Sequence, residues 1–165
     1  PIGKPFVPEI VYGFGFSVGF KAIDFSVFMQ GAARTSFLIE PSNISPFVNE
    51  RNALNVIANN YWSENNPDPN AFWPRLSVSA VENNEKPSTW WLRDGDFLRL
   101  KSVEIGYTFP KTETGFFSNL NARVYCTGLN LLNFAKFDLW DPEMAGNGLG
   151  YPPQRVLNLG VQLIF

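Results

Sequence analysis

VYGFGFSVGFKAIDFSVFMQG, residues 11–31, decides how the chain is read. Tyr12, Phe14, Phe16, Val18 and Phe20 take alternate positions against Gly13, Gly15, Ser17 and Gly19. Unbroken period two over 11–20 predicts a strand with two unlike faces. After Lys21-Ala22 the apolar set moves to odd positions, Ile23, Phe25, Val27 and Met29. Asp24, Ser26 and Gln30 oppose them, with Phe28 out of pattern. A tight hairpin turn at 21–22 reconciles the two phases and puts both apolar sets on one side of one sheet. Glycine weakens a strand, so the aromatic face must gain much from leaving water.

The same period returns further along. In FLRLKSVEIGYTFP (97–110), Val103, Ile105, Tyr107 and Phe109 alternate with Ser102, Glu104, Gly106 and Thr108. Leu98 and Leu100 hold the opposite phase, which predicts a bulge near Lys101. LNARVYCTGLN (120–130) alternates Leu120, Ala122, Val124 and Cys126 against Asn121, Arg123, Tyr125 and Thr127. VLNLGVQLIF (156–165) sets Leu157, Leu159, Val161, Leu163 and Phe165 against Asn158, Gly160 and Gln162, with Ile164 out of pattern. Five strands are expected. Short connections fall at 21–22 and 110–119, and long ones at 32–95 and 130–155. Within the long stretches, 49–62 has room for a short helix. The rest is irregular, yet its tryptophans argue against disorder.

Composition removes several function classes. The 165 residues carry 13 Lys and Arg against 15 Asp and Glu, too even a balance for nucleic acid. One cysteine, Cys126, and no histidine leave neither an intrachain disulfide nor a cysteine–histidine metal site. The usual general base is missing as well. No run of about 18 apolar residues occurs, so no membrane-spanning helix is expected.

Two environments fit the apolar faces: the inside of a soluble all-β sandwich or barrel, and lipid. Lipid is favoured. The strands match the roughly 9–11 tilted residues that cross a bilayer as β-structure. Short and long connections alternate as in outer-membrane barrels, and aromatics such as Tyr12, Phe20, Tyr107, Phe109 and Phe165 gather near strand ends. The lipid-facing set is then Tyr12, Phe14, Phe16, Val18, Val103, Ile105, Tyr107, Leu159, Val161 and Leu163. Asp24, Gln30, Glu104 and Arg123 face the lumen, where bracing an interior domain suits them better than lining a path. Five strands cannot close a barrel whose smallest members have about eight, and open edges are not tolerated in hydrocarbon. The remaining strands are expected from sequence outside this chain, in keeping with a first residue, Pro1, that is not Met.

YGFGFSVGFKAIDFSVFMQG, WWLRDGDFLRLKSVEIGYTFP, VYCTGLNLLNFAKFDLWDPE and YPPQRVLNLGVQLIF resemble, in that order, the C-terminal end of SusC/RagA-type TonB-linked outer-membrane transporters. LRLKSVEIGYTFP, GLNLLNF with the DPE after it, and the terminal strand are the most specific pieces. The resemblance covers nearly the whole chain, and only loosely 32–80. It implies an all-β fold in which residues 1–165 supply the last five or so antiparallel strands of a barrel of about 22 strands, with long extracellular loops. It implies TonB-driven import of glycans or peptides across a Gram-negative outer membrane, with no enzyme activity and no cofactor. The implied partners are a SusD/RagB-like surface lipoprotein as lid, the TonB complex acting through a plug absent from this chain, the rest of the same barrel, lipid, and the substrate. The short turns would then lie in the periplasm and the long loops outside. Phe165 resembles the C-terminal signal read by the outer-membrane assembly machinery. A soluble all-β carbohydrate-binding module is the competing reading.

Trp62, Trp73, Trp90, Trp91, Trp140 and Tyr151 lie in or beside the expected outer loops. Flat rings there suit sugar stacking or contact with a lid. They suit equally the small cores that loops of this length need, and packing is the simpler reading. Asp138, Asp141 and Glu143 are a weak oxygen set for calcium, lacking the spacing of a calcium loop; a turn begun by Asp-Pro explains them better. Arg93, Asp94 and Asp96 read as a solvated turn. No nucleophile has a base to partner it.

Overall fold

The computed structural model describes residues 2–110 and 120–164. They form two compact units. One contains Pro8–Arg34, Asp96–Lys136 and the chain from Pro153 on, and holds a five-stranded antiparallel sheet. Its strands are β1 (Ile10–Phe20), β2 (Ile23–Ala33), β5 (Phe97–Thr108), β6 (Asn121–Ala135) and β7 (Val156–Ile164), paired in that order. The other contains the chain up to Val7, Thr35–Gly95 and Phe137–Pro152. It carries a two-stranded ladder of β3 (Ser36–Leu38) with β4 (Leu92–Asp94), and short helices α1 (Pro41–Ile44), α2 (Asn55–Asn59) and α3 (Glu82–Glu85).

The hairpin at 21–22 forms as the phase switch requires. Phe20 pairs with Ile23, and Lys21 supplies the left-handed residue (φ 55°) that a two-residue turn needs. The expected irregularity in β5 is Lys101. Met29 pairs with Leu100 and Phe28 with Ser102, so Lys101 is the extra residue that moves Leu98 and Leu100 onto the side of Val103 and Ile105. β6 answers with Asn130 and Leu131 between the pairs Ser102↔Leu129 and Leu100↔Leu132. That irregularity corrects the expected end of the strand. β6 runs to Ala135, not 130, because Leu129 and Leu131 blur the alternation without ending the pairing. Asn130 absorbs the distortion in the left-handed region, φ 52°.

The expected short turn at 111–119, and the structure of Phe165, lie outside the described residues. Within 49–62 only the five residues of α2 are helical. Asn49 sits at φ 54° just upstream, no side chain caps α2, and asparagines are poor helix formers.

The loop unit has a core of its own. Phe37, Ile39, Ile44, Ile57, Phe72, Trp73, Trp91 and Phe137 are buried together. Phe37 meets Phe137 edge-on at 5.0 Å, and Trp73 lies 5.2 Å from Trp91. Backbone bonds stitch the irregular segments around these rings: Ile39 N–H to Trp91 O (2.9 Å), Trp62 N–H to Trp73 O (2.9 Å) and Trp73 N–H to Asn60 O (3.1 Å). The N-terminal segment joins through Ser36 N–H to Pro5 O (2.9 Å) and Lys4 Nζ to Asp94 (3.0 Å). Arg93 and Asp94 therefore belong to an ordered strand and not to a solvated turn. Burial pushes the Arg93 guanidinium below its usual pKa, and it donates to Trp90 O at 2.7 Å.

Candidate functional site

The sheet unit inverts the usual partition of residues. Among the described residues its one buried apolar side chain is Ala32, while the other buried apolar residues belong to the loop unit. Strand register extends each apolar row into the next. Phe16 pairs with Val27, and Val27 with Val103. Ile105 pairs with Cys126, and Cys126 with Leu159. Tyr12, Phe14, Val18, Tyr107, Val161 and Leu163 complete the same face. It is open: Phe16 is 60% exposed, Val161 65% and Leu159 84%. Tyr12 spans two strands on this face, its hydroxyl donating to Phe97 O at 3.2 Å.

The opposite face is polar and braced. Arg123 on β6 reaches over β5 to Asp24 on β2 through both Nε (3.1 Å) and Nη2, and its Nη2 also meets Glu104 Oε1 at 2.6 Å. Three strands are thus tied by one guanidinium, whose planar fork suits two carboxylates at once. Gly106 makes room for it. A Cβ there would fall against the guanidinium and 2.6 Å from Asp24 Oδ1. Arg123 also lies 5.1 Å from the Tyr125 ring centroid, and that ring covers Gly160. Phe28, out of pattern in the sequence, is used the same way, its ring lying against Gly13 and Gly15. Gly13, Gly15 and Gly160 on this face are thus covered by aromatic side chains from neighbouring strands, while Gly19 has open space above it.

The loop unit contains a cleft of about 510 Å³. Trp62 and Trp90 line it together with Arg75, Lys86, Asn84 and Ser88; Pro74, Asn83 and the edge of the core at Trp91 complete it. Its walls are held from behind. Trp90 Nε1 donates to Phe72 O (3.2 Å), and Trp91 Nε1 donates to Asn84 O (2.9 Å).

The candidate rings therefore divide. Trp73 and Trp91, 3% and 1% exposed, are core residues, and Trp91 borders the cleft only at its edge. Trp140 packs on Phe137 at 4.9 Å and donates to Ala145 O at 2.8 Å. Trp62 and Trp90 line the cleft, and Tyr151 is exposed away from it. The sequence reading passed over Arg75, Lys86, Asn84 and Ser88, since cleft neighbours so far apart along an irregular chain leave no periodic signal. Asp138, Asp141 and Glu143 do not converge: among the described residues no three acidic, Cys or His side chains are grouped to hold a metal. Asp141 instead accepts from the Glu143 backbone N–H at 3.0 Å, the turn-capping role its place before Pro142 suggests.

An antiparallel sheet that is apolar and open on one side and polar on the other has the two-faced pattern that a transmembrane β-barrel wall requires. Relatives agree. The chain is 30% identical over 178 residues to TonB-dependent receptor P26 of Formosa agariphila, covering 99% of this chain and 18% of that protein. It is 26% identical over 180 residues to TonB-dependent receptor P3 of the same organism, covering 99% of this chain and 17% of that protein. Among solved structures, the RagAB peptide transporter matches with TM-score 0.73 at 24% identity over 97% of this chain and 18% of that one. The RagAB peptide importer in its open-open state matches with TM-score 0.71 at 23% identity, over 98% of this chain and 18% of that one. No protein-family model matches. The chain is similar to TonB-dependent receptors over 99% of its own length and spans under a fifth of the length of the relatives it matches.

Proposed function

We propose that the chain is a sector of the wall and outer loops of a TonB-dependent importer in the outer membrane of a Gram-negative bacterium. The observation that carries this is the open apolar face, from Tyr12, Phe14, Phe16 and Val18 on β1 to Leu159, Val161 and Leu163 on β7. In water, a face of this kind would drive association. In a bilayer it is matched to its solvent, while the backbone groups at the outer edges of β1 and β7 require further strands of the same barrel. The competing soluble carbohydrate-binding module is disfavoured, because it would have to cover this face with a second layer.

The division of labour follows from chemistry. The apolar face contacts lipid. The Asp24–Arg123–Glu104 brace faces the lumen, where it stiffens the wall against an interior plug. The loop unit faces outward, where it meets a glycan or peptide substrate and a SusD/RagB-like lipoprotein lid; RagAB is described as a peptide importer. Energy would come from the TonB complex acting on the plug, and the role is transport, not catalysis. Phe165 would serve as the C-terminal assembly signal.

The test is arginine placed on each face of β1 in the complete receptor. Phe16→Arg sets a charge in hydrocarbon, at about 2–4 kcal/mol near the midplane, and should cut the amount of folded protein in the outer membrane. Ser17→Arg, one residue along and on the other face, should assemble at the wild-type level. Equal assembly of both would sink the face assignment and, with it, the membrane reading.

A further inference from the structure

The apolar face of the sheet is not evenly filled. β6 gives it only small side chains, Ala122, Val124 and Cys126, and then Gly128. The strands on either side give it Ile105 and Tyr107, on β5, and Leu159 and Val161, on β7. β6 therefore runs as a trough between two ridges. Around its middle the trough opens into a groove of about 300 Å³ lined by Ile23, Ile105, Tyr107, Val124, Cys126 and Leu159. None of these side chains is charged. On the polar face, rings from neighbouring strands close the gaps above Gly13, Gly15 and Gly160, whereas this groove stays open. Its far end is stopped by Leu131, which folds over Gly128 so closely that a Cβ there would lie 2.6 Å from it.

The trough has the depth of one lipid leaflet. From Ala122 to Gly128 is six steps along the strand, roughly 20 Å at about 3.4 Å per residue. A tilt of about 40° turns this into roughly 15 Å of depth, half of a hydrocarbon core of about 30 Å. The open end lies toward the hairpin at 21–22, where Ile23 pairs with Tyr107 and Tyr107 with Val124. That turn carries Lys21, whose Nζ lies 5.3 Å from the centroid of the Phe20 ring. Phe20 belongs to the apolar face and is 69% exposed, so the ammonium is held on the lipid side of the sheet, at its polar margin. A lysine stem laid along an apolar surface with its charge at the edge suits a headgroup boundary, and Tyr107 brings a hydroxyl to the same end.

We propose that this groove seats one acyl chain of an anionic phospholipid from the leaflet on the hairpin side, with its phosphate at Lys21. The proposal rests on the membrane reading of the sheet and adds to it one discrete lipid site in a wall that otherwise meets lipid without preference. A chain lying in the trough restores the dispersion contacts that the small side chains of β6 leave unmade. Lys21 supplies the selection for negative charge.

The experiment is native mass spectrometry of the complete receptor in mild detergent, after equilibration with equal amounts of phosphatidylglycerol and phosphatidylcholine of the same chain length. The expected result is one retained lipid per receptor, with phosphatidylglycerol favoured by about fivefold, the effect of one lysine near an anionic headgroup. Cys126→Phe fills the groove with a ring that hydrocarbon tolerates and should abolish retention of both lipids. Val18→Phe, an equally apolar enlargement of the same face outside the groove, should leave retention at the wild-type level. Lys21→Asn keeps a residue suited to the left-handed turn and should remove the preference for phosphatidylglycerol while phosphatidylcholine is retained as before. This second variant keeps the site testable if Cys126→Phe lowers assembly. No retained lipid, equal retention of the two headgroups, retention unaltered by Cys126→Phe, or a preference unaltered by Lys21→Asn would each overturn the proposal. Failure here in a receptor that still discriminates Phe16→Arg from Ser17→Arg leaves the membrane reading intact; failure of that discrimination overturns the membrane reading itself.

Discussion

Gly106 illustrates how much one missing side chain can organise. Arg123 crosses above it to reach Asp24, and no other residue type leaves that path open. Gly106→Ala should force the guanidinium aside and overpack the site by roughly 1–3 kcal/mol, seen as a lower midpoint in thermal unfolding of the folded receptor in detergent. A midpoint equal to wild type would show that the brace does not depend on that clearance. Arg123→Gln asks a related question. It leaves the Asp24 and Glu104 carboxylates without the cation they share, so the same unfolding midpoint should fall, and a midpoint equal to wild type would show that the brace adds nothing to stability. The sequence suggested that Arg123, Asp24 and Glu104 share a face, because parity alone fixes that much. That they meet was not legible: β2 and β6 are not neighbours, and the meeting depends on β5 lying between them with a glycine at the crossing point.

At the scale of the strand, apolar alternation carries nearly all the information, and its failures are instructive. Phe28 breaks the pattern because it covers Gly13 and Gly15 across the pair. Leu131 breaks it because it folds over Gly128 beside the irregularity at Asn130. Side chains that compensate for glycine thus look like noise in the sequence that contains them. On β7, Val161→Arg should lower assembly as Phe16→Arg does, by about 2–4 kcal/mol at the bilayer midplane. Heating-dependent mobility of the membrane fraction on gels measures it, and an unchanged folded band would count against β7 facing lipid. Tyr125→Ala should expose Gly160 and loosen the β6–β7 pair, read as faster amide exchange confined to those two strands.

At the scale of the whole molecule, two units that treat their apolar side chains differently share one chain. The loop unit buries aromatic rings as a water-soluble protein does. Trp91→Ala there should remove a fully buried ring at about 3–5 kcal/mol. Limited proteolysis should then cut within 65–90 while the five strands remain assembled in the membrane. Loss of strand assembly in the same variant would mean that the loop core and the sheet fold as one unit.

The sequence by itself determined the five strands, the hairpin at 21–22, the irregularity at Lys101 and the composition of both faces. All of these follow from period-two alternation, a local property. Only the tertiary structure decided which tryptophans are core and which line a cleft, where β6 ends, and that Leu92–Asp94 is a strand and not a turn. Those outcomes depend on contacts between residues distant in the chain. Trp91 is buried by Phe72 and Trp73, and β4 exists because β3 pairs with it. Irregular loops have no repeating geometry that would record such partners in the order of their residues.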